Sequence, residues 1–323
     1  MSEHTKKENH HDEPSSLDDL AHAPLTRRSF LKAGIAATAF SASGAVVLSP
    51  LARLDQPLSV DEFLQQHYER LTPPRMEKVL ARIEREIKRD YHVDAEVRDS
   101  KPRPGVQFAY ALNIGRCIGC RRCVYACMDE NNLSRDPQIQ YIRVLELEKG
   151  SMDIEKANHY YDDETVPQRG KFYMPVQCHQ CENPPCTKAC PVKATWQEPD
   201  GIVVVDYNWC IGCRYCMAAC PYWARRFNFA RPTIPQEEIN TEMDYLGNRI
   251  RPRGVVEKCT FCLRRTRQGM LPACVEVCPT GSRIFANILE PGNPISYVLE
   301  NKRVYVLKED LKTIPRFYYF FEK

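Results

Sequence analysis

The sequence predicts an α+β fold built from short elements, on three observations. Strand-like segments lie at 106–113 and 201–206, and each leads directly into cysteines. Short helical segments are expected at 123–131 and 216–225, within and after the same cysteines. All sixteen cysteines of the 323 residues fall into four groups of four. Strand, cysteine loop and helix are therefore expected to repeat along the chain.

The four cysteine groups share nearly one spacing. The first and third read C-x2-C-x2-C-x3-C, the second reads C-x2-C-x4-C-x3-C, and the fourth widens the middle gap to eleven residues. Proline follows the last cysteine of three groups, at Pro191, Pro221 and Pro279, as in the bacterial ferredoxin pattern. In chain order the four groups are Cys117, Cys120, Cys123 and Cys127; Cys178, Cys181, Cys186 and Cys190; Cys210, Cys213, Cys216 and Cys220; and Cys259, Cys262, Cys274 and Cys278.

This spacing suits iron–sulfur clusters. Three thiolates at i, i+3 and i+6 let one loop bind three irons of a cubane, so the fourth iron needs a ligand from elsewhere. In two-cluster ferredoxins the last cysteine of each group binds the other cluster. Each group is therefore expected to serve two clusters.

Two other uses of cysteine are weaker candidates. Disulfide frameworks belong mainly to chains under about 100 residues that cannot build a core. Structural zinc sites with four thiolates use two separated C-x2-C pairs rather than a triplet with a fourth cysteine at x3. The spacing favours iron–sulfur ligation over zinc, and zinc over disulfides.

The amino-terminal segment 1–52 is predicted to be a twin-arginine signal. Arg27 and Arg28 lie within TRRSFLK at 26–32, and an uncharged stretch follows at 33–52. This route exports folded proteins, which suits clusters inserted in the cytoplasm. Cleavage would leave a periplasmic protein; an uncleaved stretch of about 20 uncharged residues could instead anchor it in the membrane.

The rest of the chain is divided into three parts. Residues 53–105 are expected to form a helical extension, with a helix from Thr72 to Arg89, and a linker at 101–105. Residues 106–290 hold the cysteine domain, including long insertions at 128–177 and 227–258 that are candidates for partner contact. Closing strands are expected at 283–288 and 303–307. The tail, 291–323, ends in aromatic residues 317–321 that are expected to pack on a neighbour or on the core.

Charge and missing motifs narrow the function. The net charge is +3, and basic residues beside the cysteines are expected to offset cluster charge and raise reduction potentials; they are Arg116, Arg121, Arg122, Arg214, Lys258, Arg264 and Arg265. No C-x-x-C-H haem motif and no G-x-G-x-x-G nucleotide motif occur. Binding to nucleic acid is not expected of an exported chain. His179 is expected to be a hydrogen-bonding neighbour of a sulfur.

The cysteine groups, with CHQCENPPC at 178–186 and CIGCRYCMAACPY at 210–222, resemble the beta subunits of the complex iron–sulfur molybdoenzyme family. The resemblance covers about residues 106–290 and all sixteen cysteines. It implies two bacterial-ferredoxin-like 2[4Fe–4S] modules, one from the first and fourth groups and one from the second and third. Met128 departs from the pattern, because the other groups have proline at that position.

The resemblance also implies which cysteines share a cluster. Since Cys213 is present, four [4Fe–4S] clusters are expected and no three-iron cluster. The implied sets are Cys117, Cys120, Cys123 and Cys278 (cluster 1); Cys259, Cys262, Cys274 and Cys127 (cluster 2); Cys178, Cys181, Cys186 and Cys220 (cluster 3); and Cys210, Cys213, Cys216 and Cys190 (cluster 4).

The implied function is electron transfer without catalysis. Such a subunit would relay electrons on the periplasmic side between a quinone-reactive integral-membrane subunit and a catalytic molybdopterin subunit. A multihaem cytochrome or sulfur-metabolism complex without molybdenum is the alternative partner. A directly reducing iron–sulfur enzyme is the weaker hypothesis, because sixteen ligands for four clusters leave no open iron site.

Overall fold

The computed structural model of the protein describes residues 72–322. The predicted signal at 1–52, with Arg27 and Arg28, lies outside the described residues. Within the described range, no helix is both long enough and apolar enough to cross a membrane.

Helix α1 (Pro73–Tyr91) is the helix predicted from Thr72 to Arg89. It begins at two prolines, whose fixed backbone suits a first helical turn. It ends at His92 in a left-handed conformation, where the His92 N–H donates to the Lys88 carbonyl at 3.1 Å. Ile83 and Ile87 bury one face of the helix against the main core.

Pairs of antiparallel strands connect each cysteine group to the next and the fourth group to the first. Each group is preceded by one strand and followed by another, and the strand after one group pairs antiparallel with the strand before the next. The pairs are β3 (Arg143–Glu148) with β4 (Lys171–Val176), β5 (Thr195–Gln197) with β6 (Val203–Val205), β7 (Arg225–Phe227) with β9 (Val256–Lys258), and β10 (Arg283–Asn287) with β2 (Phe108–Asn113). The last pair joins the end of the fourth group to the start of the first.

The helices after the cysteine loops differ in length because of proline. Three of them are four residues long and stop before the cysteine-proline pair, namely α3 (Pro185–Lys188), α4 (Tyr215–Ala218) and α6 (Ala273–Glu276). The helix predicted at 216–225 was therefore too long, since Pro221 ends the helical turn and residues 225–227 form β7. Helix α2 (Arg122–Glu130) continues through Met128 for nine residues. A further short helix, α5 (Leu263–Arg267), follows Cys262.

The carboxyl-terminal segment is part of the fold rather than a separate tail. It forms α7 (Pro294–Asn301), β11 (Val304–Tyr305) and β12 (Phe317–Phe320). The four-stranded sheet has the order β10-β2-β12-β11, with β12 parallel to β2. Phe317 is fully buried and stacks on Tyr110 at a centroid distance of 4.7 Å. Of the two predicted uses of residues 317–321, the structure shows packing on the protein's own core.

The two insertions are held to each other by buried polar contacts. Arg251 is 1% exposed, and its Nε lies 3.2 Å from Glu257 Oε2. Arg251 also donates to the Gly247 carbonyl at 2.7 Å and to the Asn131 carbonyl. Tyr141 donates to the same Glu257 oxygen at 2.7 Å. In addition β8 (Glu242–Asp244) pairs in parallel with β1 (Glu96–Arg98).

Candidate metal centres

The sixteen cysteines come together in four sets that mix the groups. None of the sixteen forms a disulfide. Three cavities are each lined by three cysteines of one group and the last cysteine of another. The first quartet is Cys117, Cys120, Cys123 and Cys278, the third is Cys178, Cys181, Cys186 and Cys220, and the fourth is Cys210, Cys213, Cys216 and Cys190.

The remaining four cysteines form the second quartet, Cys259, Cys262, Cys274 and Cys127. Burial raises the pKa of Cys127 well above its usual value, and the charges of Cys262, Cys259 and Cys274 act in the same direction. Asn131 Nδ2 lies 3.6 Å from Cys127 Sγ and 3.8 Å from Cys262 Sγ. All four sets brought together are the sets that the resemblance implied.

All four cysteine loops share one backbone feature. The residue before the second cysteine of each group has a positive φ: +79° at Gly119, +44° at Gln180, +72° at Gly212 and +53° at Phe261. Non-glycine residues rarely adopt this conformation, so its presence in every group indicates the same loop geometry. At Gln180 the side chain secures the loop by donating to the Cys259 carbonyl at 2.7 Å and accepting from the Val203 N–H at 2.8 Å.

Glycine is required at two of these positions by close contacts as well as by φ. A Cβ on Gly212 would lie 2.2 Å from the Gly254 carbonyl oxygen. A Cβ on Gly119 would lie 2.4 Å from the ring of Tyr173. Both contacts are shorter than packed atoms tolerate, so these loops are pressed against their neighbours.

The spacing of the sulfurs fits a multi-iron cluster better than a single ion. Four thiolates around one zinc ion, at about 2.3 Å each, would lie about 3.8 Å from one another. In the part of the chain that the structure describes, no three His, Cys, Asp or Glu side chains converge closely enough to hold a single metal ion. The first, third and fourth quartets instead surround cavities, as a cluster with one iron per cysteine requires.

Eight of the sixteen thiols are made weaker acids by burial. Burial raises the pKa of Cys117, Cys181 and Cys262 to about 12, and that of Cys216 to about 11. Thiolates buried without a counter-charge are costly, so bound metal is needed to hold them deprotonated. At Cys278 the effect of burial is outweighed by hydrogen bonds with Ser282 and Thr280, at 3.2 and 3.7 Å, and the pKa is lowered.

The cations that contact the sulfurs are not those predicted from the sequence. Arg225 donates to Cys186 Sγ at 3.0 Å, and Arg283 donates to Cys123 Sγ at 3.2 Å. Both arginines lie five residues after the last cysteine of a group ending in cysteine-proline, at Cys220 and Cys278. That shared spacing is the sequence signal that could have identified them.

The predicted cations have other partners. Arg121 stacks over Tyr161, and Arg214 stacks over Phe227. Lys258 is fully buried, and its ammonium donates to the carbonyls of Val203 and Cys259. Of the others, Arg264 and Arg265 pair with Glu130, while Arg116 and Arg122 are exposed.

Buried donors without a partner are a further feature of the third quartet. Arg225 leaves Nε and one terminal nitrogen without a hydrogen-bond partner, and His179 leaves Nδ1 without one. Both residues line the cavity of this quartet. Burial lowers the pKa of His179 to about 3, so the ring is neutral, and its Nε2 lies 3.1 Å from the Tyr319 hydroxyl. The hydrogen bond expected from His179 to a sulfur is not present, but its Nδ1 is left for an acceptor such as cluster sulfide.

Neighbouring quartets lie close to one another in the order first, second, third and fourth. The charge of Cys274 raises the pKa of Cys123, and the charge of Cys178 raises the pKa of Cys259. In the same way the charge of Cys186 raises the pKa of Cys216. These three links join the first quartet to the second, the second to the third and the third to the fourth.

The first and the fourth quartets, which are the two ends of this series, both reach the surface. At the fourth quartet Cys213 is exposed, and Ile211, Tyr215 and Phe229 are 46%, 64% and 64% exposed. At the first quartet an open groove runs beside Cys117, and it is lined by residues of the first insertion and by the chain end, including Met152, Phe172 and Phe321. All four cysteines of the second quartet are buried, whereas in the third quartet only Cys181 is.

Comparison with known families agrees with this geometry. Two family models, each described as a 4Fe-4S dicluster domain, match the chain. One covers residues 116–194, and the other covers 170–236 and 248–288. Two dicluster domains indicate four [4Fe–4S] clusters, as the sequence predicted.

Several named proteins are similar to most of the chain. A selenate reductase subunit of Mesobacillus selenatarsenatis is 34% identical over 308 residues, which are 91% of this chain and 96% of that protein. The Hdr-like menaquinol oxidoreductase iron-sulfur subunit 1 of Archaeoglobus fulgidus is 36% identical, covering 69% of this chain and 85% of its own. A tetrathionate reductase subunit of Salmonella typhimurium is 34% identical, covering 67% and 73%.

We expect Gly212→Ala to remove one cluster. The added Cβ would clash with the Gly254 carbonyl and displace the loop that carries Cys210 and Cys213. Iron and acid-labile sulfide should each fall from about sixteen to about twelve per chain. Gly105→Ala is the matched control, because Gly105 has a φ of +66° but nothing within 4 Å of its Cβ position. Equal iron contents in the two variants would contradict the prediction.

Proposed function

Because the chain belongs to the iron–sulfur (beta) subunits of the complex iron–sulfur molybdoenzyme family, we propose that it relays electrons between a quinone-reactive membrane subunit and a catalytic or haem subunit. It is an electron-transfer subunit of a reductase complex rather than the catalytic one. The bound clusters supply one-electron redox chemistry. The chain supplies their spacing, their shielding from water and the surfaces for the partners.

The order of the four quartets, each close to the next, is the observation that carries this proposal. A series of neighbouring sites whose first and last members are near the surface suits passage of electrons through a protein, with a different partner at each end. Exposed Ile211, Tyr215 and Phe229 at one end are the kind of apolar and aromatic residues that interfaces use. The groove beside Cys117 offers the second surface. A direct reductase would need a cluster with an open iron, and all sixteen cysteines lie in quartets.

The proposed ligation is crossed within two modules. The first module would hold clusters at the first and second quartets, and the second module at the third and fourth. Support comes from the cavities, each lined by three cysteines of one group and the last cysteine of another. Helix α2 carries Cys127 towards the fourth group, because α2 packs on α6, which begins at Ala273. The amino-terminal helix α1 is an addition to these modules.

The proposed location is the periplasmic face of the cytoplasmic membrane. The support is the twin-arginine pattern at 26–32, which lies outside the described residues. Attachment would come from the membrane subunit, with an uncleaved signal as the alternative anchor. No role for nucleic acid or a nucleotide cofactor is proposed.

The class of the second partner is a choice between two hypotheses. Similar proteins named as subunits of selenate, tetrathionate and dimethyl sulfoxide reductases favour a molybdopterin catalytic subunit. The similar protein named as a subunit of a menaquinol oxidoreductase favours a quinone-linked complex of another type, including one with a multihaem cytochrome. The identity of 34% over 91% of the chain favours the first.

We expect the chain to bind membranes only with its integral-membrane partner. Protein lacking residues 1–52 should stay in the supernatant after ultracentrifugation when expressed alone. It should sediment with membranes when its integral-membrane partner subunit is coexpressed, and a quinol analogue should then bleach its visible absorption. If it remains in the supernatant with every candidate membrane subunit, a free periplasmic carrier is the better account.

Crossed ligation predicts the effect of Cys278→Ser. This variant should alter the same paramagnetic resonance signal as Cys120→Ser, because both residues line one cavity. Cys262→Ser is the control, since it belongs to the second quartet together with Cys127. A Cys278→Ser spectrum that matches Cys262→Ser would mean that each cysteine group closes on itself.

Export is expected to require Arg27 and Arg28. Replacing both with lysine should leave the cluster-bearing protein in the cytoplasm, because the twin-arginine route reads this pair while a general charge effect would not distinguish Lys from Arg. Fractionation followed by iron assay measures the result. Undiminished periplasmic protein in the double variant would indicate another route.

A further inference from the structure

Two buried arginines occupy equivalent places in the two modules. Arg225 is the first residue of β7 and Arg283 is the first residue of β10. Each follows the last cysteine of its group by five residues, and the corresponding positions of the other two groups are Asn132 and Thr195. A cation is therefore present after two groups and absent after the other two.

Each arginine contacts a sulfur of one quartet only. Arg225, 2% exposed, donates to Cys186 Sγ of the third quartet at 3.0 Å. Arg283, 4% exposed, donates to Cys123 Sγ of the first quartet at 3.2 Å. By hydrogen bonds Arg283 is connected to the second quartet through Tyr110, whose hydroxyl accepts from Arg283 at 2.9 Å and lies 3.6 Å from Cys274 Sγ. The charge of Cys274 also acts on Arg283 directly, but less strongly than that of Cys123.

Arg225 and Arg283 differ from the buried, ion-paired arginines Arg251 and Arg267 in having sulfur in place of a carboxylate. Arg251 is paired with Glu257, and Arg267 with Asp200. Among the charges that act on Arg225 and Arg283, those of cysteines are the largest. Their remaining contacts are neutral: Thr195 Oγ1 accepts from Arg225 at 2.9 Å, and Gln177 Oε1 accepts from Arg283 at 2.9 Å. Within the described residues their positive charge is thus left for the ligands.

A guanidinium so placed favours the reduced form of a cluster. Reduction adds one negative charge, and a fixed cation at hydrogen-bond distance stabilises that charge strongly in a buried site. Arginine keeps its charge at any working pH, so the effect does not depend on protonation. The sulfurs of the second quartet receive neutral donors instead, from Asn131 and Tyr110. Lys258, the other buried cation nearby, donates to carbonyl oxygens, which offset part of its charge.

We propose that Arg225 and Arg283 each raise the reduction potential of the cluster they touch, making it the easier one of its module to reduce. This rests on the proposed ligation, in which Cys186 binds the third cluster and Cys123 the first. The two are positioning residues that act through sulfur. The more exposed cations predicted from the sequence have the smaller effect.

Redox titration of purified holoprotein, followed by paramagnetic resonance, tests the proposal. In Arg225→Gln the ratio of oxidised to reduced third cluster should rise about tenfold at a fixed solution potential, which is a shift of about 59 mV for one electron. Arg283→Gln should do the same to the first cluster. The neighbouring cluster of each module should shift less, and the other module should be unchanged.

Two arginines beside the same sites serve as controls. Arg226 donates to the carbonyls of Gln140 and Trp223, and Arg121 lines the first cavity while stacking over Tyr161. Neither contacts a sulfur, so Arg226→Gln and Arg121→Gln should change the ratios less than threefold. Equal shifts in the test and control variants overturn the proposal.

A second variant is needed if Arg225→Gln fails to assemble the third cluster. If Arg225→Gln lacks four irons, Arg225→Lys is used, because an ammonium cannot reach Cys186 and Thr195 in the fixed fork of a guanidinium. In Arg225→Lys the reduction potential of the third cluster should fall, so that its ratio of oxidised to reduced form rises about threefold. A change no larger than that in Arg226→Lys overturns the proposal. The cluster affected is identified from the spectra of Cys120→Ser for the first cluster, Cys262→Ser for the second and Cys181→Ser for the third. A shift confined to a different cluster overturns the proposal through its ligation, whereas no shift at all overturns the role of the arginines alone.

Discussion

One loop of this chain can present only three cysteines to one site, so the fourth must arrive from a different segment. The rest of the fold follows from that limit. Strands lead into and out of every loop and pair with the strands of the neighbouring groups, which holds distant cysteines at fixed separations. The left-handed residue before each second cysteine turns the loop tightly enough to gather the triplet. Where that residue is glycine, the loop also lies against its neighbours more closely than any side chain would allow.

The interior of the cysteine domain combines buried thiols with buried polar groups. Burial raises the pKa of the thiols, so thiolates are held only when something positive accompanies them. Metal supplies most of that charge, and hydrogen-bond donors such as Asn131 supply part of the remainder. The buried ion pair of Arg251 with Glu257 lies in the second insertion, and Tyr141 and Asn131 of the first insertion hydrogen-bond to it. A domain with so many interior charges keeps its shape through specific pairing as well as through apolar packing.

The sequence was most informative where a local pattern has a single physical meaning. The prolines at 73 and 74 and the helical spacing of Ile83 and Ile87 identified α1. The cysteine spacing identified the kind of cofactor that the dicluster models indicate. It was least informative where the meaning depends on contacts between distant segments. The central place of β12 in the sheet depends on pairing with β2, about two hundred residues earlier, and no local pattern reports that. Arg225 and Arg283 were missed because adjacency in sequence was taken for adjacency to sulfur, while each contacts a cysteine of another group.

The pairing of β10 with β2 also governs when the protein can be completed during synthesis. Cys117 and Cys278 line one cavity, but the ribosome makes the second long after the first. At roughly 5–20 residues per second, the intervening stretch takes on the order of 10–30 s to translate. The third and fourth quartets span only Cys178 to Cys220, so their cysteines are all available much earlier. The module of the third and fourth quartets can therefore be completed while the first cysteine group still awaits Cys259, Cys262, Cys274 and Cys278, so the module of the first and second quartets is the last to be completed.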